Sequence, residues 1–249
     1  MIILKTDEEV ARMRVSGRIA AQVLAAVAQA VRPGVTTREL DTLGGRLMRA
    51  AEAKSAFLGY RGYPGQICVS VNEEVVHGIP GERVIQLGDV VSVDVGVEYR
   101  GFIGDNATTV MVGVTDPEII RLVAAGQAAL DRAVRLAVAG ARLSDLSHAI
   151  EQTAAEAGFA VVRDFVGHGV GRQMHEDPQI PNFGAPGRGP RLRPGMTLAL
   201  EPMLNQGAAE VEVLADGWTV VTRDRRVSVH FEHSVAVRAD AVLVLTCVE

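Results

Sequence analysis

Val90-Val91-Ser92-Val93-Asp94-Val95-Gly96-Val97 reads as a buried strand with one charged residue in it. Side chains alternate across a strand, so Val91, Val93, Val95 and Val97 face a core while Ser92, Asp94 and Gly96 face the other way. Asp105 follows beyond a hairpin-like turn, Glu98-Tyr99-Arg100-Gly101, which lets the two carboxylates come opposite each other on adjacent strands. Glu201 sits in similar apolar text, Met196-Thr197-Leu198-Ala199-Leu200-Glu201-Pro202-Met203, and His168 and Glu232 recur in further strand-like stretches. An unpaired carboxylate in such a place is costly or turns neutral. A bound cation offsets that cost at all of them, which makes Asp94, Asp105, His168, Glu201 and Glu232 candidate metal ligands.

The text upstream is helical. Thr6-x-x-Glu9 forms a capping box before Val10, Met13, Gly17, Ala20, Leu24, Val27 and Val31, spaced by threes and fours, and Pro33-Gly34 ends that helix. Thr36-x-x-Glu39 opens a second helix with Leu40, Leu43 and Leu47 on one face, and strand-like text runs from Ile67 to Val76. The pattern then repeats. Thr115-x-x-Glu118 opens a helix with Ile120, Val123, Leu130 and Val134 inward, and another follows around Leu146, Ile150 and Ala154. Gly34 maps to Gly140, Leu40 to Leu146, Gly88 to Gly195 and Asp94 to Glu201, an offset of about 106 to 107 residues. Asp105 and Glu232 correspond after an extra loop of roughly 20 residues in the second half. Chance likeness between two amphipathic helix pairs is the alternative, and the matching acids weigh against it. The expectation is an α+β fold in one catalytic domain, 1–249, with halves at approximately 6–114 and 115–249 related by a pseudo-twofold axis.

Composition narrows the function classes. A chain of 249 residues with 48% apolar residues can bury a sizeable core as one domain. A formal net charge of −5 gives no footprint for sequence-independent binding to nucleic acid or anionic lipid. The opening Met1-Ile2-Ile3-Leu4-Lys5 is too short for a signal-peptide core and no apolar run approaches a membrane span, so the expectation is a cytoplasmic protein. Cys68 and Cys247 are too few for a disulfide framework and are expected reduced.

One imidazole with four carboxylates suits Mn, Fe or Co as well as Zn, and the excess negative charge calls for two divalent ions. Two such ions activate water and polarise a carbonyl, so hydrolysis is the expected reaction class. The carrying motifs are Asn72-Glu73-Glu74-Val75-Val76-His77-Gly78-Ile79-Pro80, Ser92-Val93-Asp94-Val95-Gly96, Gly104-Asp105, Gly167-His168-Gly169-Val170-Gly171, His175-Glu176-Asp177-Pro178, Leu200-Glu201-Pro202-Met203 and Phe231-Glu232-His233. In this order they closely resemble the short bacterial type I methionine aminopeptidases over nearly the whole chain.

That resemblance implies the pita-bread fold, a central antiparallel sheet with a dinuclear metal site, and removal of the initiator methionine before a small second residue. It implies Asp94 mainly on one ion, His168 and Glu201 on the other, and Asp105 and Glu232 bridging. It also implies that His77 and His175 contact the substrate amide and stabilise the tetrahedral intermediate, with Glu201 taking the proton of the attacking water. Tyr60, Tyr63, Cys68, Met174 and Trp218, with Phe57 at the edge, would surround the methionine side chain, as sulfur and aromatic walls suit a thioether. Met174 departs from the phenylalanine common there. The implied partners are N-terminal methionines of nascent chains, with ribosome association, in a monomer.

Ordinary readings stand beside these. His148 reads as a solvated helix residue, and His230 either backs the ligand set beside Glu232 or lies on the surface. Cys68 reads as pocket wall rather than nucleophile, because no base is tied to it. Trp218, in Asp216-Gly217-Trp218, either covers a turn or walls the pocket. The rival enzymes are prolidase and aminopeptidase P relatives, which usually carry an added N-terminal domain. A non-catalytic binding protein of the same fold is the rival of another class, and such relatives have typically lost ligands that are all present here.

Overall fold

The computed structural model describes residues 1–248. Helix α1 (Asp7–Ala30) opens on the predicted capping box, the Thr6 hydroxyl accepting from Glu9 N and the Glu9 carboxylate from Thr6 N. Its positions Val10, Met13, Gly17, Ala20, Leu24 and Val27 are all buried. Helix α2 (Thr37–Ala50) repeats the device with Thr36 and Glu39, but its buried line runs through Leu40, Gly44, Gly45 and Met48, leaving Leu43 and Leu47 half-buried.

Strands β1 (Lys54–Ser55), β2 (Cys68–Val71), β3 (Glu74–Val76), β4 (Val90–Tyr99) and β5 (Phe102–Met111) lead to α3 (Pro117–Leu136) and α4 (Leu143–Ala157). Then come β6 (Ala160–Val161), β7 (Gly167–Gly169), β8 (Glu176–Ile180), β9 (Thr197–Leu200) and β10 (Met203–Asn205). The last strands are β11 (Val211–Val213), β12 (Val220–Thr222), β13 (Ser228–His230), β14 (Glu232–Val237) and β15 (Val242–Val244).

Three local expectations shift. The stretch Ile67–Val76 is two strands, broken where Asn72 takes a φ of 59°. Helix α3 is capped by Asp116 rather than Thr115, since Pro117 fills the first helical position, where a missing N–H costs nothing. Its buried face is Leu122, Ala125, Gly126, Ala129, Leu130 and Ala133, while Ile120 is 41% exposed. Gly126 fits that face because the Phe231 ring lies where a side chain there would go, 2.8 Å from the Cβ position.

The main sheet runs β1-β4-β5-β14-β9-β7-β8, all antiparallel, with β2 also on β4 and β15 also on β14. Its order is symmetric about the β5–β14 pair, with β4 and β9 outside them. The repeat appears in the backbone as well. Gly34 and Gly140 share positive φ (88° and 95°), as do Gly88 and Gly195 (98° and 87°), and isolated bridges Thr36–Val84 and Arg142–Arg191 occupy matching places. The segment that lengthens the second half is ordered, forming β10 to β13, and β12 pairs back with β3 of the first half.

Alternation then sorts the faces. Val91, Val93, Val95 and Val97 are fully buried against α1 and α2, and Leu198, Leu200, Val235 and Val237 against α3 and α4. Both helix pairs cover one face of the sheet, which leaves the other to Asp94, Asp105, Glu232 and their neighbours. Among the described residues, no helix is long and apolar enough to cross a membrane.

Candidate metal centre and substrate cavity

Register places the candidate ligands. Asp94 pairs with Ala107, Ala107 with Glu232, and one more step along the His233–Leu200 register brings Glu232 opposite Glu201. The next row on the same face joins Gly96 with Asp105, and Ala199 with His168. Consecutive strands β4, β5, β14, β9 and β7 thus each contribute one candidate, Glu201 from the residue just beyond β9. Asp94 and Asp105 are diagonal neighbours rather than directly opposite, because the hairpin turns on Arg100-Gly101, one residue later than the pattern suggested. Between the rows, the Ser234 hydroxyl accepts from Asp105 N and donates to Asp105 O, replacing ladder bonds where β5 and β14 part.

The side chains converge. Ligand-capable atoms of Asp105, His168 and Glu232 all lie within 4.8 Å of one another. His168 Nε2 is 3.3 Å from Glu201 Oε1 and 3.8 Å from Asp105 Oδ2. Asp94 Oδ1, Asp105 Oδ1 and Glu232 Oε1 are buried with no hydrogen-bond partner. Burial pushes Asp94 up to about 7, and burial together with mutual repulsion pushes Asp105, Glu201 and Glu232 well above the usual carboxylate range. Orphaned oxygens of one sign, in a group this tight, fit divalent cations and little else on the protein. His168 fits the same reading. Its Nδ1 bonds Gly169 O at 2.9 Å, which sets the proton there and leaves Nε2 a free lone pair toward the carboxylates.

A cavity of about 300 Å³ opens onto this cluster, and every residue predicted for the site lines it. At one end Tyr63 stacks edge-on with Phe57 (centroids 6.5 Å apart) and Trp218 (5.1 Å), beside Cys68 and Met174. Phe57 lines the cavity and is buried over Gly96, whose missing Cβ would stand 2.4 Å from the ring. Trp218 meets both Tyr63 and His77, so its ring walls the cavity. Cys68 is buried beside Asp94 with its thiol pushed up, an inert environment, and both cysteines are free.

His175 stands exposed at the mouth, its Nδ1 2.8 Å from the Tyr60 hydroxyl and its ring 4.3 Å from that of His168. His77 is half-buried at a φ of 60°, beside Phe165 (5.6 Å), and burial lowers it to about 4, so it is neutral at neutral pH. His230 is buried, not at the surface. It lies on β13 with Nε2 unpartnered, in register with Met203 and on a separate strand from Glu232. His148 is half-buried on α4, away from the site.

Four lining residues escaped the sequence reading: Arg61, Val76, Phe165 and Val166. Phe165-Val166 leads directly into Gly167-His168, a usable signal; Arg61 beside Tyr60 carries none. The Lys5–Glu176 pair was missed too, 171 residues apart in the chain.

The model of metallopeptidase family M24 matches residues 11–239. Methionine aminopeptidase 1 of Bacillus subtilis is 46% identical over 246 residues, 99% of each chain. The crystal structure of methionine aminopeptidase from Thermotoga maritima superposes with a TM-score of 0.97 at 46% identity, again over 99% of each chain. Prolidase from Pyrococcus furiosus, at 22% identity and TM-score 0.80 over 66% of its chain, shares the fold alone. The chain therefore belongs to metallopeptidase family M24, among the methionine aminopeptidases, and is a divalent-metal-dependent hydrolase that removes N-terminal methionine.

Proposed function

We propose that Asp94, Asp105, His168, Glu201 and Glu232 would hold two divalent ions, Mn, Fe, Co or Zn. The observation that carries this is the set of partnerless buried oxygens on Asp94, Asp105 and Glu232 in the wall of one cavity. When bound, such ions acidify water and polarise the scissile carbonyl. Glu201, 3.3 Å from His168 at the cavity side of the cluster, takes the proton of the attacking water. His175, held by the Tyr60 hydroxyl, and neutral His77, across the same cavity, donate hydrogen bonds to the charge that develops on the amide. Phe57, Tyr60, Tyr63, Cys68, Met174 and Trp218 receive the methionine side chain in an apolar, enclosed end. Crowding by His77, His175 and Phe165 restricts the next residue to a small one.

The natural substrates on this reading are nascent polypeptides in the cytoplasm, met at the ribosome by a monomeric enzyme. The whole chain, 1–249, acts as one domain with halves near 6–114 and 115–249, a unity supported by the sheet that runs without interruption through both. The test is Met-Ala-Ser cleavage by metal-stripped protein titrated with Mn, Fe, Co and Zn. Activity should return with up to two ions per chain, and Leu-Ala-Ser or N-formyl-Met-Ala-Ser should be poor substrates. Full activity without metal, or equal turnover of the leucine peptide, would sink the assignment.

A further inference from the structure

A second cavity, about 520 Å³, adjoins the first and shares Tyr60, Arg61, Met174 and His175 with it. On the proposed reading the methionine side chain fills the enclosed end of the first cavity and the scissile bond lies between His77 and His175. The rest of the peptide then leaves across the shared wall. An extended chain advances roughly 3.3–3.6 Å per residue, so the third and fourth residues of a substrate come over the second cavity.

The charges there are unevenly matched. Lys54 pairs with Glu98 at 2.6 Å, and Arg172 pairs with Glu9 at 3.2 Å while lying over the Phe102 ring. Arg61 has only the Tyr60 ring, 5.4 Å from its guanidinium carbon, and no carboxylate partner among the described residues. It is nonetheless held in place. Arg61 adopts a φ of 48°, unfavourable for a residue with a Cβ, between Gly59 (81°) and Gly62 (89°), in a turn tied by Gly59 N to Tyr63 O and Tyr63 N to Tyr60 O. The turn thus keeps an unneutralised guanidinium at the lip common to both cavities, near enough that, after burial, its charge also lowers the pKa of His175.

We propose that Arg61 makes this enzyme favour substrates with acidic side chains at the third and fourth positions, counted from the N-terminal methionine. A guanidinium offers a carboxylate paired donors, and a lysine side chain in the same place meets repulsion. Because Arg61 is exposed, the effect is modest and salt-sensitive.

The experiment compares kcat/KM of the metal-loaded enzyme for Met-Ala-Asp-Asp-Gly, Met-Ala-Asn-Asn-Gly and Met-Ala-Lys-Lys-Gly. The wild type should rank them in that order, with the first and last about 5- to 10-fold apart at low ionic strength and closer at high. Arg61→Gln should compress the ratio to within about 2-fold, and Arg61→Glu should invert it. A wild type that turns over the asparagine peptide without this ranking, or a ranking that survives both substitutions, overturns the role of Arg61 and leaves the site assignment standing. Release of methionine from none of the three overturns the site assignment and this proposal together.

Discussion

Lys5 Nζ lies 2.5 Å from Glu176 Oε2, with 2% and 5% of the two side chains exposed, so an ion pair between distant parts of the chain is sealed beside the His175 loop. The other oxygen of Glu176 accepts from Arg172 N (2.9 Å) and Gln173 N (3.2 Å), and Lys5 N donates to Gly195 O at 2.7 Å. The carboxylate therefore fixes the backbone that presents Met174 and His175 to the cavity.

Removing one partner of a buried pair strands the other charge, so Lys5→Met should destabilise the protein by about 3 kcal/mol in urea unfolding. It should also cut kcat about 10-fold through misplacement of His175. Lys5→Met/Glu176→Gln should recover most of both, since glutamine keeps the acceptor and no buried charge remains. Simply additive losses in the double variant would show that the pair is not the unit that matters.

His175→Ala should lower kcat by roughly 100-fold or more with a smaller change in KM, the cost of one donor to developing charge. Metal content, measured on the same preparation, should match the parent. Loss of metal in step with activity would place His175 in the coordination shell instead.

Gly96→Ala puts a methyl group 2.4 Å from Phe57 Cε1 and should force the ring into the methionine end of the cavity. Overpacking of about 1–3 kcal/mol corresponds to KM for Met-Ala-Ser rising about 10-fold. Phe57→Leu in the same chain should restore part of it. An unchanged KM would mean that the floor of the cavity is not where the substrate packs.

The stabilisation conferred by Mn should grow as pH rises. Without metal, Asp94 titrates near 7 and Asp105, Glu201 and Glu232 above their unfolded values, so the folded state holds extra protons. Their contribution is fully present below the unfolded pKa values and is lost as pH rises through the folded ones. Bound cations keep the same carboxylates ionised and reverse that loss. His77 and His230, depressed by burial to about 4 and about 3, act equally in both forms and cancel in the difference. The melting temperature should therefore separate between metal-loaded and metal-free protein from about pH 5 to pH 8. A gap that narrows with pH would contradict the assignment.

Much of this was local and so was readable along the chain. Capping boxes at Thr6 and Thr36 bond residues three apart, and alternation in Val90–Val97 sets two faces whatever lies around them. The four acidic candidates were legible because a carboxylate in an apolar strand is anomalous without a cation. What the tertiary structure alone decided was relative placement. The register across β5, β14 and β9 made Asp94 and Asp105 diagonal and put Glu232 in one row with Glu201. Packing of Phe231 against Gly126 set the inward face of α3 and left Ile120 outside it, and burial took His230 off the surface. Lys5 with Glu176, and Arg61 at the shared lip, join elements that no periodicity connects. Local hydrogen bonds and side-chain periodicity are properties of neighbouring residues, whereas these contacts depend on which distant surfaces fill each other's space, and that is settled only when the whole core packs.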